Sequence, residues 1–226
     1  MKISTYFFIL TLTFVAYGCN KEKNDEIVDT PRVVPNLIDM YATAVTFKGY
    51  FYDIYNGIVV QGDSLQLEDH SENVRKYGDT VFNKPRFVEI EENLVFVNEF
   101  TGINVTSNSD FNEIKAGLPL NSKIRLVALS PIKWLKSKGK LTFNWNSAVL
   151  PDYAMFRKGI VRDQFFPVNK YLTDVTKEDL TLLSPARQYG IFLLFTEHPA
   201  IKDQVLTVYF NETNGVIKAS YDAKFK

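Results

Sequence analysis

The stretch VLTVYFNETNGVIKASY, residues 205–221, decides the fold of this chain. From residue 206 to residue 210, apolar side chains occupy every second position, which is the period of a half-buried β-strand. Asn214-Gly215 then separates this run from a second alternating run, and Asn-Gly between two such runs is a strong hairpin signal. We therefore predict an antiparallel hairpin in this part of the chain.

The same signals recur toward the N-terminus. Residues 191–195, IFLLF, form a continuous apolar run that predicts a buried strand, which Thr196-Glu197-His198-Pro199 ends. Asn56-Gly57 predicts a second hairpin turn. Shorter runs predict strands at residues 45–51, 58–60, 65–67, 86–90, 94–100, 123–129 and 141–145. Many short strands with few convincing helices, together with 18 Phe and 12 Tyr, indicate a mainly β protein, an antiparallel β-sandwich of Greek-key type.

The segments between these runs carry weaker signals. Gly49 interrupts the first run and predicts a β-bulge. Residues 69–79 are polar and predict a loop, and residues 101–120 predict irregular structure. Residues 153–166 hold neither a clean helical nor a clean strand period. Thr176-Lys177-Glu178-Asp179 before a leucine-rich run predicts one short capped helical turn.

The N-terminus reads MKISTYFFILTLTFVAYGC, residues 1–19. Lys2, an apolar core and a small residue near the end of the run are typical of a secretory signal. A membrane-spanning helix is the alternative, because residues 3–20 carry no charge and nearly reach the ~20 residues that a bilayer requires. Polar residues dilute the run, however, and Gly18-Cys19 favours the signal.

Gly18-Cys19 after this apolar run resembles a bacterial lipoprotein signal, although Tyr17 departs from the small residue usual there. The resemblance implies that residues 1–18 are removed and that Cys19 is lipidated. It also implies that the lipid at Cys19 anchors the protein to a membrane, since two or three acyl chains give stable attachment. Cys19 is the only cysteine in the sequence, so no intrachain disulfide is expected.

Residues 20–36 are charged, contain two prolines and lack a hydrophobic period. They predict a flexible tether, which with the lipidated Cys19 covers residues 19–36 and spans roughly 20–25 Å. Residues 37–226 are expected to form a single β-sandwich domain, and a subdivision near residues 120–150 stays open. The charged residues after Cys19 also resemble surface-export signals of Bacteroidetes lipoproteins, and a plain linker is the alternative.

Two further resemblances concern the domain itself. The run KGYFYD, residues 48–53, with Asn56-Gly57 and Leu65-Gln66-Leu67, resembles the opening of transthyretin-like, carboxypeptidase-regulatory β-sandwich domains, with an Ig-like architecture. The order of elements over residues 165–226 resembles uncharacterised Bacteroidetes outer-membrane lipoproteins. That resemblance implies a cell outer-membrane location, either surface-exposed or facing the periplasm, and it implies no activity.

Length and charge exclude some classes of function. Without the 18-residue leader the chain has 208 of its 226 residues, enough for a core without disulfides or metals. Loss of Lys2 from 26 basic residues leaves 25 against 26 acidic ones, a net charge of −1. Such a balance does not predict a nucleic-acid partner.

One basic cluster contains an aromatic residue: Lys133, Trp134, Lys136 and Lys138, with Lys140 nearby. As a ligand site, Trp134 would stack on a sugar and the lysines would meet anionic groups. As a structural feature, the cluster would be a lysine-rich hairpin tip with Trp134 in the core, and this interpretation is favoured.

Other candidates have plainer explanations. His70 and His198, the only histidines, lack a second ligand at metal spacing, so His70 is expected in a loop and His198 at a strand end.

Oxygen-bearing side chains alternate at Asn108, Asp110 and Asn112, followed by Glu113, as in a calcium-binding loop. Glu113, however, stands where such a loop needs Gly, so an Asx-rich turn is favoured. Glu89 and Glu91 share a strand face and are expected to be solvated rather than a glycosidase pair. No catalytic residue, metal or cofactor is expected.

These observations predict a lipid-anchored cell-envelope lipoprotein. Its expected role is a non-enzymatic binding or assembly module with a glycan or an envelope protein as partner. The alternatives are a glycan-active hydrolase with dispersed carboxylates and a fimbrial subunit. The catalytic residues of such a hydrolase can be distant from one another in the chain, so they need not form a recognisable local motif.

Overall fold

The computed structural model describes residues 32–33, 36, 38–80, 85–86, 94–138, 166–184 and 191–226. Residues Pro31–Lys226 form one compact unit. Several predictions concern residues outside the described ranges: Cys19, Glu89 and Glu91, the strand at 141–145, most of the strand at 86–90 and nearly all of residues 153–166.

The described residues are mainly in β-strands, as the sequence predicts. The two α-helices of these ranges are α1 (His70–Tyr77) and α2 (Ile132–Lys136). The strands are β1 (Arg32–Val33), β2 (Met40–Tyr52), β3 (Gly57–Leu67), β4 (Pro85–Arg86), β5 (Leu94–Phe96), β6 (Phe100–Ser107), β7 (Ile124–Ser130), β8 (Phe166–Tyr171), β9 (Ile191–Phe195), β10 (Asp203–Glu212) and β11 (Gly215–Lys224).

The strands form two main sheets. The larger sheet has six strands in the order β5-β2-β3-β9-β7-β8, and the smaller has the order β11-β10-β6. β1 and β4 form a separate two-stranded ladder. All described pairs are antiparallel except β2 with β5, which run parallel.

The two main sheets pack face to face around one apolar core, so the predicted β-sandwich is confirmed. Ile58, Leu126 and Leu193 of the larger sheet share this core with Val208 and Phe210 of the smaller one, and all are fully buried. Phe47 of β2 stacks on Phe210 of β10 with 4.1 Å between ring centroids. Val60, before residues 120–150, and Val168, after them, both contribute to this core.

The C-terminal hairpin is confirmed. β10 and β11 pair along their whole length, from Asp203 with Lys224 to Glu212 with Gly215, which leaves the two-residue loop Thr213-Asn214. The buried strand predicted at residues 191–195 is β9, and the strand predicted at 123–129 is β7.

The turn at Asn56-Gly57 differs from a two-residue hairpin loop. Tyr52 pairs with Gly57, and the four residues between them form a short 3₁₀ turn, Asp53–Tyr55, followed by Asn56. Asn56 has φ 49° and ψ 51°, a left-handed conformation that Asn tolerates better than most residues. Gly57 is already the first residue of β3.

A helical layer covers the other face of the larger sheet and corrects two predictions. Residues 69–79 are not a loop, because they contain α1. Lys133 and Lys136 are not at a hairpin tip, because α2 occupies Ile132–Lys136. Both helices pack on outward-facing residues of the sheet and form a second apolar cluster of Ile38, Tyr41, Val95, Leu129, Ile132, Trp134, Leu135 and Leu182, with Val74 and Tyr77 against it.

The bulge predicted at Gly49 lies elsewhere on β2. Gly49 pairs regularly with Val60, whereas the register shifts between Ala44 and Phe47. Gly49 is needed for another reason, since a Cβ there would collide with the carbonyl oxygen of Val59 and meet the Tyr221 ring at 3.0 Å. The glycine therefore lets two backbones and an aromatic ring approach closely.

Two strand boundaries were also predicted wrongly. Residues 101–120 are not irregular throughout, because β6 extends to Ser107. The run predicted at 94–100 breaks after Phe96 and resumes as β6 at Phe100. In the break, Asn98 is buried and its side chain bonds the backbone of Ala44. The capped turn is confirmed, since Thr176 and Asp179 bond each other's backbone N–H.

Part of the segment predicted as a flexible tether is attached to the fold. Arg32 and Val33 form β1, and the Asn36 side chain donates to the Asp79 carbonyl. Asp79 is fully buried and accepts hydrogen bonds from the Ile38 N–H at 3.0 Å and the Tyr41 hydroxyl at 2.9 Å. Asp79 therefore holds the segment that leads into β2.

Candidate functional site

The structure buries Trp134, the aromatic residue of the basic cluster considered as a ligand site. Trp134 lies in α2, is 2 % exposed and packs in the helical layer, so its ring offers no face to a sugar. Lys138 follows the helix in a left-handed conformation with φ 52°. The favoured alternative, Trp134 in the core, agrees with this burial.

Two lysines of the cluster, Lys133 and Lys136, pair with acidic residues of the 176–182 turn. Lys133 of α2 and Lys170 of β8 both bind the buried Asp179 carboxylate, at 3.1 and 2.6 Å. Lys136 pairs with Glu178 at 3.0 Å. Burial alone would raise the pKa of Asp179, but hydrogen bonds from Lys170, Thr176 and Lys133 hold it well below its usual range. These ion pairs therefore connect α2 to the 176–182 turn and, through Asp179, to β8.

His70, Asp110 and Asn112 make structural contacts. His70 opens α1, and its Nε2 lies 3.1 Å from the Ile38 carbonyl oxygen. The Asp110 carboxylate accepts hydrogen bonds from the Lys115 side chain and the Ala116 N–H. The Asn112 side chain donates to the His198 carbonyl oxygen and accepts from the Ala200 N–H. Asp110 therefore stabilises residues 110–116, and Asn112 connects this segment to the distant residues 198–200. Among the described residues no group of three His, Cys, Asp or Glu side chains could hold a metal ion.

The most distinctive surface feature lies at the end of the β2–β3 hairpin. Four large side chains are exposed there: Tyr50 by 59 %, Tyr52 by 43 %, Ile54 by 81 % and Tyr55 by 37 %. The Tyr50 and Tyr52 rings are 6.4 Å apart between centroids, and the Tyr52 and Tyr55 rings 6.1 Å. We call these four residues the tyrosine surface.

The alternation of β2 places the tyrosine surface on the outside. Tyr50 and Tyr52 have the same parity and point away from the core, while Phe51 between them points inward. Phe51 contacts Phe225 at 4.6 Å and Phe195 at 6.4 Å between centroids. The outward tyrosines are therefore supported from beneath by a packed aromatic cluster.

Hydrogen bonds hold the loop that carries Ile54 and Tyr55. The Asn56 side chain donates to the carbonyl oxygens of Phe195 at 2.9 Å and Glu197 at 3.2 Å. The Phe195 N–H donates to the Asn56 carbonyl oxygen at 2.8 Å. Asp53 forms an ion pair with Lys226, and hydrogen bonding to Lys226 lowers the pKa of Asp53. A surface ordered before binding loses less entropy when a ligand arrives.

The tyrosine surface lies far from the point where the chain enters the sandwich. β2 has 13 residues, from Met40 to Tyr52. At about 3.3 Å per residue it spans roughly 40 Å. The segment held by Asp79 is therefore at one end of β2 and the tyrosine surface is at the other.

Sequence reasoning missed this surface although its signal was present. Tyr50, Tyr52 and Tyr55 lie within six residues, and the parity of Tyr50 and Tyr52 separates these two from the inward Phe47 and Phe51. The aromatic content of the run was interpreted only as strand propensity. Strand parity combined with aromatic side chains on the polar face would have identified it.

Comparison with known proteins identified no relative: no family model, no curated protein and no solved structure matches the chain. Within the described ranges, neither helix has the length and apolar character that crossing a bilayer requires.

Proposed function

We propose that this protein is a lipid-anchored, non-enzymatic glycan-binding module of the outer membrane of a bacterial cell. Cys19, after an apolar leader, supports the anchor. The observation that carries the binding function is the tyrosine surface: three tyrosines in ring contact, exposed and backed by a packed core. Tyrosine is enriched at binding sites because its ring is apolar while its hydroxyl is polar.

A glycan suits the chemistry of this surface. The C–H faces of a sugar ring stack on aromatic rings, and its hydroxyl groups bond the tyrosine hydroxyls at their edges. The position of the surface also supports the proposal, because it lies at the end of β2 farthest from the entering chain, roughly 40 Å away. Asp53, the carboxylate beside the surface, is paired with Lys226, which suits a binding role rather than acid–base catalysis.

The anchor is tested by labelling cells with radioactive palmitate. Wild-type protein is expected to be labelled and to remain in the membrane fraction, whereas Cys19→Ala is expected to lose both properties. An unlabelled wild-type protein would overturn the anchor.

The binding function is tested on an array of neutral and acidic glycans, followed by titration calorimetry of the best ligand. Tyr52→Ala is expected to weaken binding at least fivefold, about 1 kcal/mol, because it removes the central ring of the tyrosine surface. Tyr209→Ala is the matched control, since Tyr209 lies on the outer face of the smaller sheet beside Lys218. Failure of the wild type to bind any glycan, or equal losses for the two variants, would reject the proposal.

A further inference from the structure

The tyrosine surface continues across the larger sheet in a row of directly paired residues. Tyr52 pairs with Gly57, Gly57 with Leu194, Leu194 with Arg125, and Arg125 with Tyr171. Directly opposed residues point to the same face of a sheet, so all five belong to the outer face at one end of the strands. We call Tyr52, Gly57, Leu194, Arg125 and Tyr171 the end row.

The end row is more open than the neighbouring row where it crosses β9 and β7. Leu194 and Arg125 are half-buried there, whereas Phe192 and Val127, their counterparts in the neighbouring row, are buried. A Cβ at Gly57 would lie 2.8 Å from Leu194 Cδ2, so Leu194 leans over the glycine toward Tyr52. The row is therefore a largely apolar strip of the sheet surface. Tyr52 is at one end, and Arg125 is next to Tyr171 at the other end.

Arg125 is held in a fixed orientation. Its Nε and Nη2 donate to the Asn169 side-chain oxygen at 3.0 and 2.7 Å, and Nη2 also donates to the Asn169 carbonyl oxygen at 3.0 Å. The guanidinium carbon lies 5.0 Å from the centre of the Tyr171 ring. No described carboxylate pairs with Arg125, and its Nη1 has no hydrogen-bond partner among the described residues.

The charges nearest the end row are neutralised by one another. Lys123 pairs with Glu113 and Glu197, and hydrogen bonds to these two carboxylates raise the pKa of Lys123 to about 12. Asp53 pairs with Lys226. Arg125 therefore remains the one cation of the end row that has no acidic partner in the described structure, and an arginine presented in this way recognises carboxylates and similar anions.

We infer that the end row binds an acidic glycan, with Arg125 recognising a sugar carboxylate and Tyr52 stacking on a neighbouring sugar ring. The inference rests on the proposed glycan-binding function and names the class of its ligand. Three strand spacings separate Tyr52 from Arg125, about 14 Å, which a short oligosaccharide bridges. A peptide added as a strand is disfavoured at Gly57, Leu194 and Arg125, because β3, β9 and β7 each already pair with a strand on both sides.

The test uses three uronate polysaccharides, polygalacturonate, alginate and hyaluronan, each beside its carboxyl-reduced neutral form. Affinity electrophoresis of the full chain is expected to show binding to at least one acidic form and at least about tenfold weaker binding to its neutral counterpart, since hydrogen bonds to a charged group are the stronger ones. Binding of the acidic form is also expected to weaken as salt is raised.

Variants locate the contact. Arg125→Gln is expected to reduce binding of the acidic form about tenfold while leaving any residual binding of the neutral form unchanged. Arg125→Lys keeps the charge without the planar fork and is expected to give an intermediate loss. Lys218→Gln is the control, because Lys218 also lies over a tyrosine ring, that of Tyr209, at 5.3 Å. Each variant is checked for an unchanged thermal midpoint.

The outcomes separate the two proposals. Equal binding of acidic and neutral forms, or equal effects of Arg125→Gln and Lys218→Gln, would overturn the acidic ligand and leave glycan binding intact. Binding of neutral array glycans with no binding of any uronate would do the same. Absence of all glycan binding would overturn both.

Discussion

Asp179 shows, at the scale of a single residue, how a buried charge is stabilised. Its side chain is 1 % exposed. The carboxylate forms ion pairs with two lysines and accepts hydrogen bonds from the Thr176 N–H and the Thr176 hydroxyl. These donors outweigh the cost of burying the carboxylate, so the pKa of Asp179 lies below its ordinary value of 3.8. The ionised form therefore contributes to stability.

This depressed pKa predicts a dependence of stability on pH. A carboxylate whose pKa is lower in the folded than in the unfolded state stabilises the fold above the unfolded value, here 3.8, and the effect is lost as pH falls below it. Asp179→Asn should reduce the free energy of unfolding at pH 7 on the order of 3 kcal/mol. The difference from wild type should shrink toward pH 2.

Urea unfolding followed by tryptophan fluorescence measures this difference at each pH. Asp174→Asn serves as the control, because Asp174 is exposed and its one hydrogen bond within the described residues comes from the Thr173 hydroxyl. A wild-type-minus-variant difference that is the same at pH 7 and pH 2.5 would contradict the role of the ionised carboxylate.

At the scale of elements, β2 and β3 depend on close approach at Gly49. Replacement by Ala would drive a Cβ into the Val59 carbonyl oxygen and against the Tyr221 ring. The expected cost is about 2 kcal/mol of unfolding free energy, since neither backbone nor a buried ring moves freely. The measurement is the urea midpoint.

Gly102→Ala in β6 is the matched control for this prediction. A Cβ there would meet only the Asn211 side-chain nitrogen, at an ordinary 3.7 Å. The midpoint of this variant should stay near that of wild type. Equal shifts for the two glycine variants would show that the steric argument is wrong.

The helices show which element-level signals were overlooked. The Asp69 side chain accepts from the Glu72 N–H at 2.7 Å, and Gly78 ends α1 with φ 69°, so both caps are legible as Asp-x-x-Glu and a later Gly. The polar composition of residues 69–79 masked them, because only Val74 and Tyr77 of α1 pack on the apolar cluster. Short helices of this kind depend on tertiary packing more than on propensity.

At the scale of the whole molecule, Asn98 joins the two sheets. Its side-chain oxygen accepts from the Ala44 N–H at 2.7 Å, and its nitrogen donates to the Ala44 carbonyl oxygen at 3.0 Å and to Glu212 of β10. The amide thus replaces a strand neighbour at the bulge of β2. No local pattern in the sequence predicts this role, because the partners are 54 and 114 residues away.

Asn98→Ala should therefore be strongly destabilising. It leaves the Ala44 N–H and carbonyl group buried without partners, at an expected cost of about 3 kcal/mol in unfolding free energy. Asn211→Ala, the same substitution on the half-buried surface of β10, should cost less than about 1 kcal/mol. Chemical denaturation measures the unfolding free energy of both variants. Similar losses of unfolding free energy would show that Asn98 does not stabilise the contact between the two sheets.

Strand parity and turn chemistry are local properties, so the runs at 191–195 and 205–221 already predict β9, β10 and β11 and a mainly β fold. The burial of Trp134, the exposure of Tyr52 and the shared row of Tyr52 and Arg125 arise only in the folded chain. Those outcomes depend on sheet order and on packing between distant segments, which local periodicity does not encode.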